Sequence, residues 1–329
     1  MMKMRNAWVI AVLLLAPSVG RPSSYTFKTL SVPGSSATAA EGINASGEVV
    51  GQYVVGSGPV LGFSLVNGNY TTINVPGSSG TFVQGVNDAG VVVGWYNGAV
   101  SGQHGFTYQN GTYTTFDVPT GGDTIVNAIN VHGDVVGFHD GLAPGTISGF
   151  FWSGDHQTFG DIIPPTATNS IAYGVNDAGD IVGIYTIGQS GPSLGFLYHA
   201  GAYSTILFPG STVTFAQGIT DGGAIVGYYI LGATGDEHGF VLNGGSYVAL
   251  NFGTGMTELN GINGSGVIVG NAQNSGGGGQ VAFVATPTPE PGTLALFGLG
   301  TSFFLLGKAR RKKTRQDAPG SKDCAQGIK

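Results

Sequence analysis

Six polar residues recur at nearly even spacing, and they are the side chains best placed to do chemistry. They are Glu41, Gln84, Asn127, Tyr173, Gln217 and Asn260. If strands bring them together in a ring, their carboxyl, amide and phenol groups could bind sugar hydroxyls or an ion. Strand alternation opposes this hypothesis, because each shares a face with the apolar residue two positions later, such as Ile43 or Val86. The alternative is that they hydrogen-bond the backbone of neighbouring repeats.

Three aspartates occupy equivalent turn positions and are the only candidates for a metal site that the pattern offers. They are Asp88, Asp177 and Asp221. Carboxylates bind Ca²⁺, but the sequence has no complete EF-hand loop. Because Asp in a turn commonly accepts hydrogen bonds from nearby backbone, we favour turn capping. We expect no cofactor, with calcium as the alternative.

The sequence shows no recognisable catalytic constellation. It has no His-Glu-x-x-His, no Gly-x-Ser-x-Gly and no Cys-His metal spacing. His104 and His238 occupy one slot of a repeat, which favours packing, and the other histidines look isolated, with His139-Asp140 a weak candidate dyad. We therefore expect a protein that is not an enzyme. The alternative is a secreted lyase or glycosidase, which would need a pair of carboxylates converging in one cleft.

Charge is unevenly distributed along the chain. Between Tyr25 and Pro289 there are fifteen Asp and Glu and one cation, Lys28, a net charge of −14. Such a body cannot neutralise a row of phosphates, which disfavours nucleic acid and other polyanions as partners. The sole cysteine, Cys324, excludes an intramolecular disulfide.

The elements that must position these residues form a sixfold internal repeat. The segment "GINASGEVVG" at Gly42 recurs as "GVNDAGVVVG" at Gly85 and in four further copies, at steps of 43 to 46 residues. Each copy is followed by Gly-Phe or, once, Ala-Phe. An Asn-Gly pair at Asn67, Asn110 and Asn243 predicts a type I′ hairpin after it.

Each repeat of about 44 residues predicts four short strands, because β-branched runs alternate with turn residues and no helical periodicity occurs. This is the period of a propeller blade. The stretch "SYTFKTLSVPG" from Ser24 matches a fourth strand and lacks the first three, whereas the last repeat lacks its fourth. We therefore predict an all-β, six-bladed propeller over residues 25–285, closed by its N-terminal strand. An open β-solenoid is the alternative.

The N-terminal residues 1–24 have the layout of a secretory signal peptide. Lys3 and Arg5 precede the apolar run Ala7–Ala16, which is followed by small residues. We expect export, with an uncleaved anchor as the alternative.

The C-terminal region predicts a second membrane-directed segment. Residues 286–293 form a linker containing Pro289, Glu290 and Pro291, residues 294–307 an apolar transmembrane helix, and residues 308–329 a basic cytoplasmic tail. The basic cluster comprises Lys308, Arg310, Arg311, Lys312 and Lys313. Fourteen residues span about 21 Å as a helix, short of the roughly 30 Å hydrocarbon core, so the helix is a poor permanent anchor. A retained anchor and a buried core helix are the alternatives.

Two family resemblances follow from these motifs. The Gly-x-Asn-x-x-Gly-x-x-Val-Gly element with His104-Gly105-Phe106 and His238-Gly239-Phe240 resembles the bacterial extracellular HAF repeat, although His is replaced in the other four units. The Pro-Glu-Pro, apolar run and basic cluster resemble a PEP-CTERM sorting signal, which implies an exosortase-type processing enzyme as a partner. The polar tail from Thr314 is longer than such signals usually carry.

Together these features predict a surface-displayed or secreted, non-catalytic protein that passes transiently through the inner membrane. Extracellular polysaccharide is the expected ligand. The sequence assigns no oligomeric state.

Overall fold

In the computed structural model, residues 24–288 are described, except residues 100–101, 120–121, 142, 144, 156–157, 189–190, 233–234 and 274–279. The strands in chain order are β1 (Ser24–Leu30), β2 (Ala37–Ile43), β3 (Val49–Val54), β4 (Leu61–Val66), β5 (Asn69–Ile73), β6 (Gly80–Val86), β7 (Val92–Asn97), β8 (Gln103–Gln109), β9 (Thr112–Phe116), β10 (Thr124–Ile129), β11 (Val135–Asp140), β12 (Ile147–Trp152), β13 (Phe159–Ile162), β14 (Asn169–Val175), β15 (Ile181–Thr186), β16 (Ser193–His199), β17 (Ala202–Ile206), β18 (Val213–Ile219), β19 (Ile225–Ile230), β20 (Glu237–Asn243), β21 (Ser246–Ala249), β22 (Met256–Ile262), β23 (Ile268–Gln273) and β24 (Gln280–Thr288).

The strands form six four-stranded antiparallel sheets, which are the blades of a propeller. Blades I to V take four consecutive strands each, from β2–β5 to β18–β21. Blade VI has the order β1-β24-β23-β22, so the N-terminal strand supplies its outermost strand. The predicted fold and its closure are confirmed, and the open solenoid is wrong. Closure leaves no gap in blade VI that another chain could fill.

Phenylalanine from each Gly-Phe element, or Ala-Phe in blade VI, forms the core. The six side chains are at most 1% exposed, and they are Phe63, Phe106, Phe150, Phe196, Phe240 and Phe283. In blade VI, Phe27 of β1 packs edge-on against Phe283 at a centroid distance of 5.3 Å. The closing strand therefore contributes an aromatic ring to the core as well as a sheet edge.

The compact propeller unit is Thr26–Thr286. A second unit holds both chain ends, and its described residues are Ser24, Tyr25, Pro287 and Thr288. Within it, the Thr288 hydroxyl donates to the Ser24 carbonyl at 3.0 Å.

The hairpin turns follow the predicted chemistry in two of three places. Asn67-Gly68 and Asn110-Gly111 have positive φ at both positions, as a type I′ turn requires. The prediction at Asn243 is one residue out of register, because Asn243 pairs with Ser246 and the positive φ angles fall on Gly244 and Gly245. Two glycines without Cβ atoms accept these angles more readily than Asn does.

The inner strand of each blade defines two faces of the ring. We call the end where inner strands begin the mouth face, and the end where they run into the Asn-x-x-Gly turn the turn face. In blade VI, Ala285 of β24 pairs with Ile268 at the start of β23, next to the turn face. The chain therefore leaves the propeller at the turn face.

Candidate functional site

The six polar residues predicted to form a ring all line one central cavity of about 100 Å³. Each is contributed by the inner strand of a different blade, so the first strands line the channel. The same cavity is lined by the apolar residue two positions later in each blade, such as Ile43 and Val86. We call the six polar residues the ring.

Every ring residue is the extra residue of a β-bulge. The register between inner and second strands shifts between Ala40 and Gly42 in blade I, across Glu41, and at the same place in the other five blades. A bulge leaves one residue unpaired and re-aims its side chain. Both Glu41 and Ile43 reach the channel, so sharing a face with an apolar residue does not exclude Glu41 from the ring.

Two motif glycines make this arrangement sterically possible. A Cβ at Gly94 on β7 would lie 2.0 Å from the carbonyl oxygen of Phe82, beside the bulge. A Cβ at Gly85 would lie 2.9 Å from the carbonyl oxygen of Asn127 in the next blade. The first glycine admits the bulge and the second lets adjacent inner strands approach each other at the axis.

Two ring amides also hydrogen-bond the backbone of the neighbouring blade, as the alternative hypothesis expected. Asn127 Nδ2 donates to the carbonyl of Ala172 at 2.8 Å, and Asn260 Nδ2 donates to the carbonyl of Ala40 at 3.0 Å. Both bonds cross from one blade to the next. These amides line the cavity and join neighbouring inner strands, so the two hypotheses are compatible.

Glu41 is held by amides from two blades. Its carboxyl accepts hydrogen bonds from Asn260 Nδ2 at 3.0 Å and from Gln52 Nε2 at 3.4 Å, and also bonds the Asn271 side chain. Burial raises the pKa of Glu41 to about 7, and the two asparagine hydrogen bonds oppose that rise. Glu41 therefore changes protonation near neutral pH.

A second carboxyl, Glu258, interacts with Glu41 and in turn contacts a third, Glu237. Glu258 of β22 hydrogen-bonds the side chain of Glu237 on β20 and interacts with the charge on Glu41. Burial raises the pKa of Glu258 above its ordinary value, and the hydrogen bond and charge of Glu237 raise it further. Burial likewise raises the pKa of Tyr173 to about 12 and raises that of Tyr228, and both phenols interact with Glu258. Three carboxyls and two phenols thus gather from four blades, I, IV, V and VI.

The sequence pattern did not predict a role for Glu237, Glu258 or Tyr228. Glu258 and its counterparts lie two residues before the ring residue of each blade. Each is directly opposite a residue of the second strand, and the pairs are Ala39/Gln52, Phe82/Trp95, Ile125/Phe138, Ile171/Ile184, Phe215/Tyr228 and Glu258/Asn271. We call these pairs the mouth tier. A comparison of the repeats position by position would have found it, because the six pairs differ from blade to blade.

A second cavity of about 150 Å³ lies toward the turn face. Ile43, Val86, Ile129, Val175, Ile219 and Ile262 line both cavities. This apolar girdle separates the ring from the turns.

The turn asparagines form a belt around the second cavity. Each side-chain amide donates to the carbonyl of the asparagine or threonine in the next blade, at 2.9 to 3.2 Å. The residues of the belt are Asn44, Asn87, Asn130, Asn176, Thr220 and Asn263. Thr220 has no amide with which to continue the series to Asn263. Five links of this kind join six blades.

The three aspartates considered as calcium ligands bond between blades. Asp88 accepts from the N–H of Ala45 at 2.8 Å, Asp177 from Val131 at 2.9 Å and Asp221 from Asp177 at 2.9 Å. They cap the turn of the preceding blade, whereas turn capping predicted contacts nearby in the chain. Within the described residues, no three His, Cys, Asp or Glu side chains are grouped to hold a metal ion.

Two histidines that looked isolated in the sequence have acidic partners. His139 is buried, and its Nε2 lies 2.9 Å from an Asp161 carboxylate oxygen while Nδ1 lies 2.6 Å from the carbonyl of Asp140. Both ring nitrogens thus contact oxygen atoms other than those of the Asp140 carboxylate, which differs from the contact that a His139–Asp140 dyad would use. At the equivalent positions, blades I and IV have a Tyr–Thr hydrogen bond, such as Tyr53–Thr72. The His139–Asp161 contact therefore takes the place of a structural hydrogen bond. His199 pairs with Asp180 at 2.5 Å on the surface.

Residues 287–313 match the PEP-CTERM protein-sorting motif. The motif indicates export and membrane-associated processing. It includes Pro289-Glu290-Pro291 and the basic residues Lys308 to Lys313, which lie outside the described residues, as do the predicted signal peptide and the helix over 294–307. In the part of the chain that the structure describes, no helix has the length and apolarity needed to cross a bilayer.

The propeller is similar in shape to several solved structures of low sequence identity. The β-propeller domain of the Trilobed protease from Pyrococcus furiosus is 11% identical, with a TM-score of 0.48, and the match covers 74% of this chain and 78% of that one. The six-bladed lectin of Aleuria aurantia is 14% identical, with a TM-score of 0.46 and coverage of 80% and 100%. AofleA from Arthrobotrys oligospora is 11% identical, with a TM-score of 0.45 and coverage of 80% and 93%. No curated protein matches the chain.

Proposed function

We propose that this chain is an exported, non-catalytic propeller that binds extracellular polysaccharide at its mouth face. The observation that carries the proposal is the contrast between tiers of one repeat. Core phenylalanines and turn asparagines recur almost unchanged, whereas the mouth tier differs in every blade. Packing requirements are the same in all blades, so the variation of the mouth tier fits a ligand that is not sixfold symmetric.

The polar groups beside the mouth tier suit a hydroxylated ligand. Carboxyl groups, amides and phenols from all six blades converge there, and sugar hydroxyls pair with all three types of group. The net charge of −14 and the exposed position of Lys28 on the outermost strand of blade VI disfavour polyanions.

A glycan array with the full-length chain in detergent tests the proposal. We expect retention of at least one polysaccharide, weakened by the double change Gln84→Leu and Gln217→Leu in the ring. Asp88→Asn at the turn face is the matched control and should bind as the unmodified chain does. Turnover of a polysaccharide without retention of any would overturn the proposal.

A carbohydrate-active enzyme is the second candidate, because Glu41, Glu237 and Glu258 converge from three blades. A glycosidase needs one carboxyl that is protonated and another that is ionised near working pH. Incubation of polysaccharides with the chain, followed by an assay for new reducing ends, tests this candidate. Product formation that Glu258→Gln abolishes would establish it, whereas binding without new ends would exclude it for the glycans tested.

We further propose that an exosortase-type enzyme processes the C-terminal segment and that the propeller reaches the cell surface or the medium. The chain leaves at the turn face after the closing strand pair is complete, so removal of the segment should not open blade VI. Deletion of residues 289–329 should leave a folded body and abolish sorting. A deleted chain that fails to fold would contradict this division between body and signal.

A further inference from the structure

The mouth tier divides into an apolar half and a polar half. Blades II to V contribute Phe82/Trp95, Ile125/Phe138, Ile171/Ile184 and Phe215/Tyr228, whereas blades VI and I contribute Glu258/Asn271 and Ala39/Gln52. Because the blades are arranged in chain order around the axis, each half is continuous. A ligand across the mouth would meet hydrocarbon and aromatic rings on one side and hydrogen-bonding groups on the other.

The apolar half contains two stacked aromatic pairs. Phe82 and Trp95 have ring centroids 3.9 Å apart and planes 4° apart, and Phe215 and Tyr228 have centroids 4.5 Å apart and planes 10° apart. Phe82 and Trp95 are both half-buried, whereas Tyr228 is only 9% exposed. A rigid, partly exposed indole offers a large contact area at low entropic cost, and the C–H face of a sugar ring suits such a surface. Blade II is therefore the better platform.

The polar half supplies donors and acceptors without a positive charge. Glu41, Gln52 and Asn260 already share hydrogen bonds, and Glu258 bonds Glu237. The single cation of the propeller, Lys28, lies on β1, which is three strands away from inner strand β22 in its blade. An anionic group bound here would meet carboxyls and no compensating cation, so the site disfavours acidic sugars.

We propose that the mouth binds an uncharged polysaccharide, with a sugar ring stacked against the Phe82–Trp95 pair and hydroxyl groups bonded to Glu41 and Glu258. The three blades that carry these groups, VI, I and II, are consecutive. This inference rests on the proposed function and adds the chemical class of the ligand and its orientation.

The protonation of the carboxyls is consistent with an uncharged ligand. Burial raises the pKa of Glu41 to about 7 and that of Glu258 above its ordinary value, and the facing groups Glu237, Tyr173 and Tyr228 add no positive charge. A protonated carboxyl donates one hydrogen bond and accepts another, which matches a hydroxyl group. Both carboxyls can thus serve a neutral sugar below neutral pH.

Matched glycans test the charge requirement. We would titrate the full-length chain in detergent, by calorimetry at pH 6.5, with neutral glucan and mannan hexasaccharides of several linkages and with the same oligosaccharides oxidised to uronates at C6. We expect at least one neutral oligosaccharide to bind and its oxidised form to bind at least about tenfold more weakly. Equal or tighter binding of uronates would overturn this inference and leave polysaccharide binding intact. Failure of all glycans to bind here and on the array would overturn both.

Tryptophan fluorescence tests the position of the ligand. Trp95 and Trp152 are the tryptophans of residues 24–288, so a saturating neutral oligosaccharide should change emission from Trp95. Trp95→Phe should fold, retain most of the affinity and lose the emission change, whereas Trp152→Phe should keep it. Trp95→Leu should weaken binding at least about tenfold, and Glu258→Gln less than about threefold because an amide still hydrogen-bonds. An emission change that survives Trp95→Phe would overturn the placement.

Discussion

The two ends of the central channel belong to the same six inner strands but follow different rules. At the turn face, Asn recurs in five of six blades and its amide joins each blade to the next. At the mouth face, the residues that precede the ring range from alanine to phenylalanine to glutamate. In a repeat protein, uniform positions therefore identify the contacts that hold the ring together, and divergent positions identify the surface that is free to acquire a ligand.

The largest expected effect comes from a substitution that prevents the β-bulge between the mouth face and the turn face. Gly94→Ala would place a Cβ 2.0 Å from the Phe82 carbonyl oxygen, so the blade cannot pair as it does now. We expect a loss of more than about 4 kcal/mol in unfolding free energy, measured by urea denaturation. Gly160→Ala is the control, because nothing lies within 4 Å of its Cβ, and it should change stability by less than about 0.5 kcal/mol. Similar stability in both variants would contradict the role of Gly94.

The next effect breaks the belt at the turn face. Asn87→Ala removes the amide bond to Asn130 at 2.9 Å and leaves the N–H groups of Ala89 and Val91 without their acceptor. We expect a loss of about 2 to 4 kcal/mol in thermal or urea unfolding, with affinity for the glycan unchanged. A variant that keeps its stability but loses its ligand would reverse the roles assigned to the two faces.

The stability that the mouth face contributes should depend on pH. The ordinary carboxyl pKa of 4.5 applies to the unfolded chain, and burial raises the pKa of Glu41 to about 7 and also raises that of Glu258. The folded state then binds more protons than the unfolded state, so stability should fall by about 1 to 3 kcal/mol as the pH rises from 4.5 through 7. Urea unfolding from pH 5 to pH 8 measures this slope.

The double variant Glu41→Gln and Glu258→Gln should flatten that dependence. Asp88→Asn, in the turn face, should leave it as it is. A slope that persists in the double variant would place its origin elsewhere in the propeller.

The smallest expected change in stability comes from a substitution that adds the sixth link to the belt. Thr220→Asn adds the amide that could donate to the carbonyl of Asn263, and its Oδ1 can replace the Thr220 hydroxyl as acceptor for the Ala224 N–H. We expect a gain of about 0.5 to 1.5 kcal/mol, measured as a rise in Tm. Thr220→Val is the control and should destabilise, because it removes the acceptor. A completed belt that gives no gain would show that the other links act independently.

The fold was predictable because the same four-strand pattern occurs six times. In addition, the extra strand that begins at Ser24 matches the fourth strand that is missing after Phe283. The ring was predictable by spacing, but not its exposure to the channel, since the apolar residue that shares its face, such as Ile43, suggested a buried face and instead also lines the channel. Contacts of Asp88 and Asp177 with the preceding blade were also missed, because a turn motif suggests local partners. The mouth tier was missed because the repeat was recognised from its constant positions, whereas positions such as those of Glu258 and Trp95 vary between blades.

The closing strand β1 constrains the order in which the propeller can fold. Ser24 and Thr288, which now share a hydrogen bond, are separated by 264 positions in the chain. On a chain that emerges with its N-terminus first, β1 must wait without its partner while five blades form. The entropic cost of that long closure grows only logarithmically, by about 0.6 kcal/mol for each doubling of length. Delay is the larger burden, because an unpaired strand is prone to aggregate. Lys28, exposed on β1, is a charge of the kind that discourages such a strand from pairing with another chain before the ring shuts.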